Sequence, residues 1–152
     1  MIKSQIDDCE KPWTFEENSI DFVHLRYLLG SIQNWPNLLE QAFRCTKPGG
    51  YVESFEGTAV VSSDDGTVAD NSALAQWGKL FVEGGKMVGR SVTVVEDGTQ
   101  RASMEKAGFV DIHEKNVKVC LVKFMTPDPR ETDASPGRFL WGSGPRTQRR
   151  RN

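Results

Sequence analysis

Four pieces follow one another in the first third of the chain. They are Asp7-Asp8-Cys9-Glu10, Ile20-Asp21-Phe22-Val23-His24-Leu25-Arg26, an amphipathic stretch opened by Trp35-Pro36, and Lys47-Pro48-Gly49-Gly50-Tyr51-Val52-Glu53. In order they spell a strand end with acids, a buried strand, a helix, a tight turn and a strand. Alternation of this kind commits a chain to an α/β architecture. In open α/β sheets ligands bind in the crevice at the carboxyl ends of the strands. The acids at Asp8 and the pair His24 and Arg26 therefore stand where a ligand is read.

The pattern of apolar residues fills in the elements. Ser19 to His24 reads as a short buried strand. Asn34 or Asn37 can cap the next helix, with Pro36 in its first turn, where the missing N–H costs nothing. Leu38, Leu39, Ala42 and Phe43 recur at helical spacing and give one apolar face. Lys47-Pro48-Gly49-Gly50 ends that helix, and Tyr51 to Glu56 alternates like a strand. Thr58 to Asp70 is a polar loop. Asp70 or Asn71 can cap a helix running to about Val88, with Leu74, Trp77, Leu80, Phe81 and Val88 as its apolar residues. Gly84-Gly85 weakens it by about 1 kcal/mol per glycine and invites a kink. Asp97 to Ala107 reads as a third helix with Met104 and Ala107 inward and Gly108 closing it. Phe109 to Phe124 then alternates, as one long strand or as a hairpin turning near Lys115-Asn116. From residue 125 on, prolines and glycines crowd together and Arg149-Arg150-Arg151 closes the run. With no period and little to bury, residues 125–152 read as a disordered basic tail.

Composition narrows the class. The chain has 152 residues, 38% hydrophobic and 26% charged, with a formal net charge of −2. That suits one ordinary globular domain and carries no strong nucleic-acid signature. Cys9, Cys45 and Cys120 are far apart and odd in number, with no C-x-x-C spacing, so no zinc site is expected and reduced thiols are the simplest reading. No apolar run reaches the length of a membrane span, and the first residues lack a signal-peptide core. A cytoplasmic or nuclear protein is expected.

The ordered set carries a resemblance. The run from the acids through IDFVHLR and NWP to KPGGYVE, continued by Ser63-Asp64-Asp65-Gly66-Thr67, Gly89-Arg90 and Ala107-Gly108-Phe109-Val110-Asp111, resembles the second half of a class I S-adenosylmethionine (SAM)-dependent methyltransferase. Within that class it is most similar to the fungal LaeA-like group. The likeness extends over roughly residues 6–129. It implies an α/β fold: an incomplete Rossmann-like class I methyltransferase sheet with helices and a C-terminal antiparallel strand pair, in residues 1–124. The family's sheet order is 3-2-1-4-5-7-6. No G-x-G turn follows a strand here, and the chain opens at what would be the third strand. The expectation is a partial domain, a truncated or mispredicted product, whose strand Ile20–His24 has an exposed edge.

The resemblance also assigns roles. SAM is the implied cofactor. Asp8, after the third strand, would accept a hydrogen bond from the adenine amino group, and the backbone N–H at Cys9 would hold a ring nitrogen. Trp13 and Phe15 would flank the adenine or simply pack in the core. His24 and Arg26 would lie beside the methyl donor. His24 is the candidate general base and Arg26 a candidate carboxylate fork, unless both only satisfy carbonyls at the strand end. The helix ending near Val88 would lie over the methyl acceptor, a small molecule or a protein, in chemistry linked to secondary metabolism. Asp64, Asp65 and Asp70 lack the spacing of a calcium loop. His113 reads as a surface residue. The rival expectation is a non-catalytic interaction module, or a gene-model fragment, that pairs with a protein partner through the exposed strand edge.

Overall fold

The computed structural model describes residues 6–61, 63, 66, 68–117 and 146–149. Among the described residues seven elements run in chain order: β1 (Ile20–Arg26), α1 (Trp35–Cys45), β2 (Thr46–Phe55), α2 (Ala73–Met87), α3 (Thr99–Ala107), β3 (Val110–His113) and β4 (Arg146–Arg149). The sheet order is β1-β2-β4-β3. β1 and β2 are parallel, and β4 is antiparallel to both β2 and β3. This reproduces the 4-5-7-6 half of the expected order, with its antiparallel last pair.

Period-2 alternation decides which face is buried. Val23, Leu25, Val52 and Ser54 point to one face and are at most 9% exposed. There α1 seats Leu38, Leu39, Ala42 and Cys45 at 0% exposure, and α3 adds Met104 and the Gln100 amide, which donates to Ser54 Oγ at 3.0 Å. Burying each leucine stabilises the fold by about 1.5–3 kcal/mol. The opposite face carries Phe22, His24, Arg26, Tyr51, Glu53 and Phe55, which are exposed or half-buried.

α1 starts as its residues dictate. Asn34 is the N-cap, accepting from the Asn37 amide at 3.0 Å, with Pro36 in the first turn. It ends at Cys45 because Thr46 turns to extended backbone. The Lys47–Gly50 segment is not a separate turn. It bulges within β2, since the pairing skips from Ile20–Thr46 to Phe22–Tyr51. Gly50 permits this, because a Cβ there would sit 2.8 Å from the Asp21 carbonyl.

Other expectations move. α2 is capped by Ser72, whose hydroxyl accepts from Ala75 N, instead of Asp70 or Asn71. It runs unbroken through Gly84-Gly85. α3 begins later than expected, at Thr99 after Gly98, and Gly108 closes it at φ 102°. β3 stops at His113, and its partner among the described residues is β4; the return arm of the hairpin expected at Lys115-Asn116 falls outside the described residues. Residues 118–145 lie outside the described residues. So does the strand placed before Asp7, since residues 1–5 are not described and 6–8 are not strand. Within the expected disordered tail 125–152, residues 146–149 form a strand instead. The open edge of β2 supplies unpaired backbone groups, and pairing them needs no apolar side chains.

Candidate functional site

The carboxyl end of β1 leads into the connection 27–34, and the loop 7–13 lies against it. Tyr27 makes the first turn with φ 52°, a left-handed conformation uncommon for a bulky residue. Glu56, just past β2, accepts from Leu28 N at 3.1 Å and Leu29 N at 2.9 Å. Gly30 N donates to the Ser91 carbonyl at 3.2 Å. Glu10 accepts from Gln33 N at 2.6 Å and pairs with Arg90 at 3.1 Å, and Arg90 also donates to the Ser31 carbonyl. The amide of Gln33 and the Arg90 guanidinium hold the Glu10 carboxyl below the usual range. Burial pushes the Glu56 carboxyl up, opposed by its two amide bonds.

Asp8 and Cys9 sit in this anchored loop. Asp8 Oδ1 accepts from Glu10 N at 3.0 Å. The Trp13 indole donates to the Cys9 carbonyl at 2.9 Å. Gln41 on α1 accepts from Trp13 N and donates to the Lys11 carbonyl, while Arg44 donates to the carbonyls of Trp13 and Phe15. The loop is therefore held by the Gln41 and Arg44 side chains of α1 and by the bond from the backbone amide of Gln33 to its own Glu10 carboxylate. Trp13 meets Phe15 edge to face and packs on the core, whereas Phe15 is about half exposed. Burial, aided by the Asp8 and Glu10 charges, pushes the Cys9 thiol up.

His24 and Arg26 lie on the open face of β1. His24 Nδ1 is 2.8 Å from Glu53 Oε2, its register partner on β2. A carboxylate on one ring nitrogen fixes the tautomer and leaves Nε2 to act. Arg26 lies 4.9 Å from the Tyr27 ring centroid and 5.5 Å from that of Phe55. No hydrogen bond or ion pair among the described residues joins Asp8 or Cys9 to His24 or Arg26. Sequence reasoning missed Glu53 as the orienting carboxylate, although strand register alone puts it opposite His24. It also missed Glu56. Its signal was parity, since Val52, Ser54 and Glu56 alternate onto the buried face.

α2 is built differently. Its buried residues are Gly78 and Gly85, while Trp77, Leu80, Phe81 and Val88 are 43–66% exposed. A Cβ on Gly78 would lie 3.1 Å from the Ala59 carbonyl, so the loop after β2 packs directly on the helix backbone. Between that loop and α2 is a groove of about 380 Å³ lined by Val60, Val61, Val68, Ala75 and Val82, with Asp70, Lys79 and Glu83 at its rim. Among the described residues no helix is long and apolar enough to cross a membrane.

Comparison with known proteins adds ancestry. The profile of a family described as a methyltransferase domain matches residues 3–114. "Probable methyltransferase tdiE" of Emericella nidulans is 39% identical over 106 residues, covering 70% of this chain and 32% of that protein. The secondary metabolism regulator LAE1 of Cochliobolus heterostrophus is 33% identical over 113 residues, covering 74% and 36%. The chain spans about a third of the length of these curated relatives. Among solved structures, a SAM-dependent methyltransferase from Thermotoga maritima superimposes with a TM-score of 0.55 at 16% identity, covering 95% of this chain and 62% of that one. The Haemonchus contortus phosphoethanolamine N-methyltransferase 2 in complex with S-adenosyl-L-methionine gives 0.50 at 23% identity, covering 73% and 22%. At these identities the structures speak for the fold alone.

Proposed function

This chain belongs to the methyltransferase-domain family, with LaeA-like relatives, and from that premise we propose that it takes part in SAM-dependent methyl transfer linked to secondary metabolism. The observation that carries the reading is the anchored loop 7–13. It presents an exposed Asp8 carboxylate and the Cys9 backbone beside the carboxyl end of β1, as an adenine ring requires. These residues fit the adenine end of SAM. Among the described residues no G-x-G turn is present to receive its methionine end. When bound, SAM supplies an electrophilic methyl group.

The rest is done by this chain's residues. His24, oriented by Glu53, takes a proton from the acceptor's hydroxyl or amine through Nε2. Arg26, stacked on Tyr27 and Phe55, offers its remaining N–H groups to an acidic group. The groove beneath α2 takes the apolar body of the acceptor, a small molecule or a protein side chain, and aligns it. Alignment alone supplies much of such an acceleration. The proposed location is the cytoplasm or nucleus.

Calorimetric titration with S-adenosylhomocysteine tests the cofactor half. Binding that weakens about tenfold in Asp8→Asn, the effect of losing a charged hydrogen-bond acceptor, supports the reading. No binding heat with the parent chain contradicts it.

A second reading rests on a separate observation. β1 pairs only with β2 among the described residues, and Phe22 and Tyr51 beside it are 53% and 42% exposed. A protein partner that adds a strand there would make the chain an interaction module. Pull-down of a partner lost in His24→Pro, which removes an edge N–H, with no cofactor binding by the parent, would favour it.

A further inference from the structure

The connection 27–34 is held from four directions, and one of the holders is out of place by ordinary stability rules. Ser91, Arg90 and Glu10 grip Gly30, Ser31 and Gln33 from the half-exposed surface. Glu56 grips Leu28 and Leu29 from inside the protein, at 1% exposure. The described environment of its carboxylate is burial plus those two amides, with no cation. A buried unpaired carboxylate is costly, and an apolar residue would pack there at lower cost. The connection it grips opens at Tyr27, whose φ of 52° is a left-handed conformation that a bulky L residue seldom adopts. Backbone held in such a conformation persists only where its surroundings over-determine it.

We propose that Glu56 is a positioning residue: its carboxylate fixes the connection after β1, and through the Gln33–Glu10 bond the Asp8–Cys9 backbone, in the geometry that receives the cofactor. The identity of the ligand rests on the methyltransferase reading above, whereas the clamp itself does not. Glu56 touches no reacting atom and acts through two amides. Its two carboxylate oxygens serve two donors at once, a demand that glutamine, with one oxygen and an NH2 group in place of the other, fails to meet.

The test uses Glu56→Gln and Glu56→Asp in the full chain. Amide hydrogen exchange is read at Leu28 and Leu29 and, as an internal reference, at Leu39 in α1. In Glu56→Gln, Leu28 and Leu29 should exchange about tenfold faster, the effect of orphaning one buried donor, with Leu39 unchanged. S-adenosylhomocysteine affinity should fall by a similar factor, and Glu56→Asp should recover part of both. In the parent chain, the Leu28 and Leu29 amide signals should titrate with the Glu56 carboxyl carbon at one shared midpoint. That readout stands even if the variants do not fold. Unchanged exchange at Leu28 and Leu29, equal acceleration at all three amides, separate midpoints, or unchanged affinity despite an opened connection would each overturn the proposal. If the parent chain binds no S-adenosylhomocysteine, the cofactor reading falls, and the exchange and titration results decide the clamp alone.

Discussion

The connection after β1, bonded at Gly30 N to the Ser91 carbonyl in the segment that follows α2, and the helix α2 itself are fixed by different physics. The connection is tied by charged and backbone hydrogen bonds from positions 10, 56, 90 and 91, with the α1 leucines fully buried behind it. α2 has no buried large side chain. It leans on two glycine contacts and turns its aromatic and aliphatic residues outward. Regions with few buried apolar contacts open at low free energy. Under the proposed function, the side that would take the cofactor is held in place before binding, and the side that would take the acceptor is adaptable.

Truncating one side chain in each region gives the largest expected contrast. Leu38→Ala should lower the unfolding free energy by about 2–5 kcal/mol in urea melts, whereas Leu80→Ala should stay within about 0.5 kcal/mol. Equal losses would show that α2 packs as tightly as the core.

The two adjacent glycines of α2 sharpen the point. A Cβ on Gly85 would lie 2.5 Å from the Arg90 carbonyl, while one on Gly84 meets nothing within 4 Å. Gly85→Ala should cost about 1–3 kcal/mol by overpacking. Gly84→Ala should stabilise by up to about 1 kcal/mol through helix propensity. The same urea melts check both, and like-signed shifts would refute the close approach.

The smallest effect is a pH signature, opposite in sign for the two glutamates that hold the connection. Glu56 has a raised carboxyl pKa, so its contribution is full below the ordinary value of 4.5 and is lost as pH rises through the folded value. Glu10 has a lowered one, so its contribution is present above 4.5 and is lost as pH falls through its folded value. Stability measured from pH 3 to 7 should gain a less negative slope above pH 4.5 in Glu56→Gln. It should lose part of its acid-side decline in Glu10→Gln. Identical profiles in both variants would deny the opposition.

Much of the clamped region was legible in the sequence. Pro36 with Asn34, the spacing of Leu38, Leu39 and Ala42, and the alternation around Val23 and Val52 are local signals, and they set α1, β1 and β2. The resemblance supplied the sheet order. The rest depended on contacts distant in sequence. β4 lacks the apolar residues that mark a strand and owes its place to the open edge of β2. Which face of α2 packs was hidden because glycine, not leucine, makes the contact. The candidate site divides likewise. Asp8, Cys9, His24 and Arg26 were readable as residues at strand ends. The groups that hold them lie far off in sequence: Glu53 bonds His24 from 29 positions away, Glu56 bonds Leu29 from 27, and Arg90 bonds Glu10 from 80.

Hydrogen exchange of the purified chain with and without excess S-adenosylhomocysteine tests the central claim most directly. A ligand bound only to the folded, preformed half slows exchange there by mass action. The account predicts added protection at residues 8–11 and 28–33, with little change across Trp77–Phe81. Protection confined to α2, or none anywhere, would contradict it.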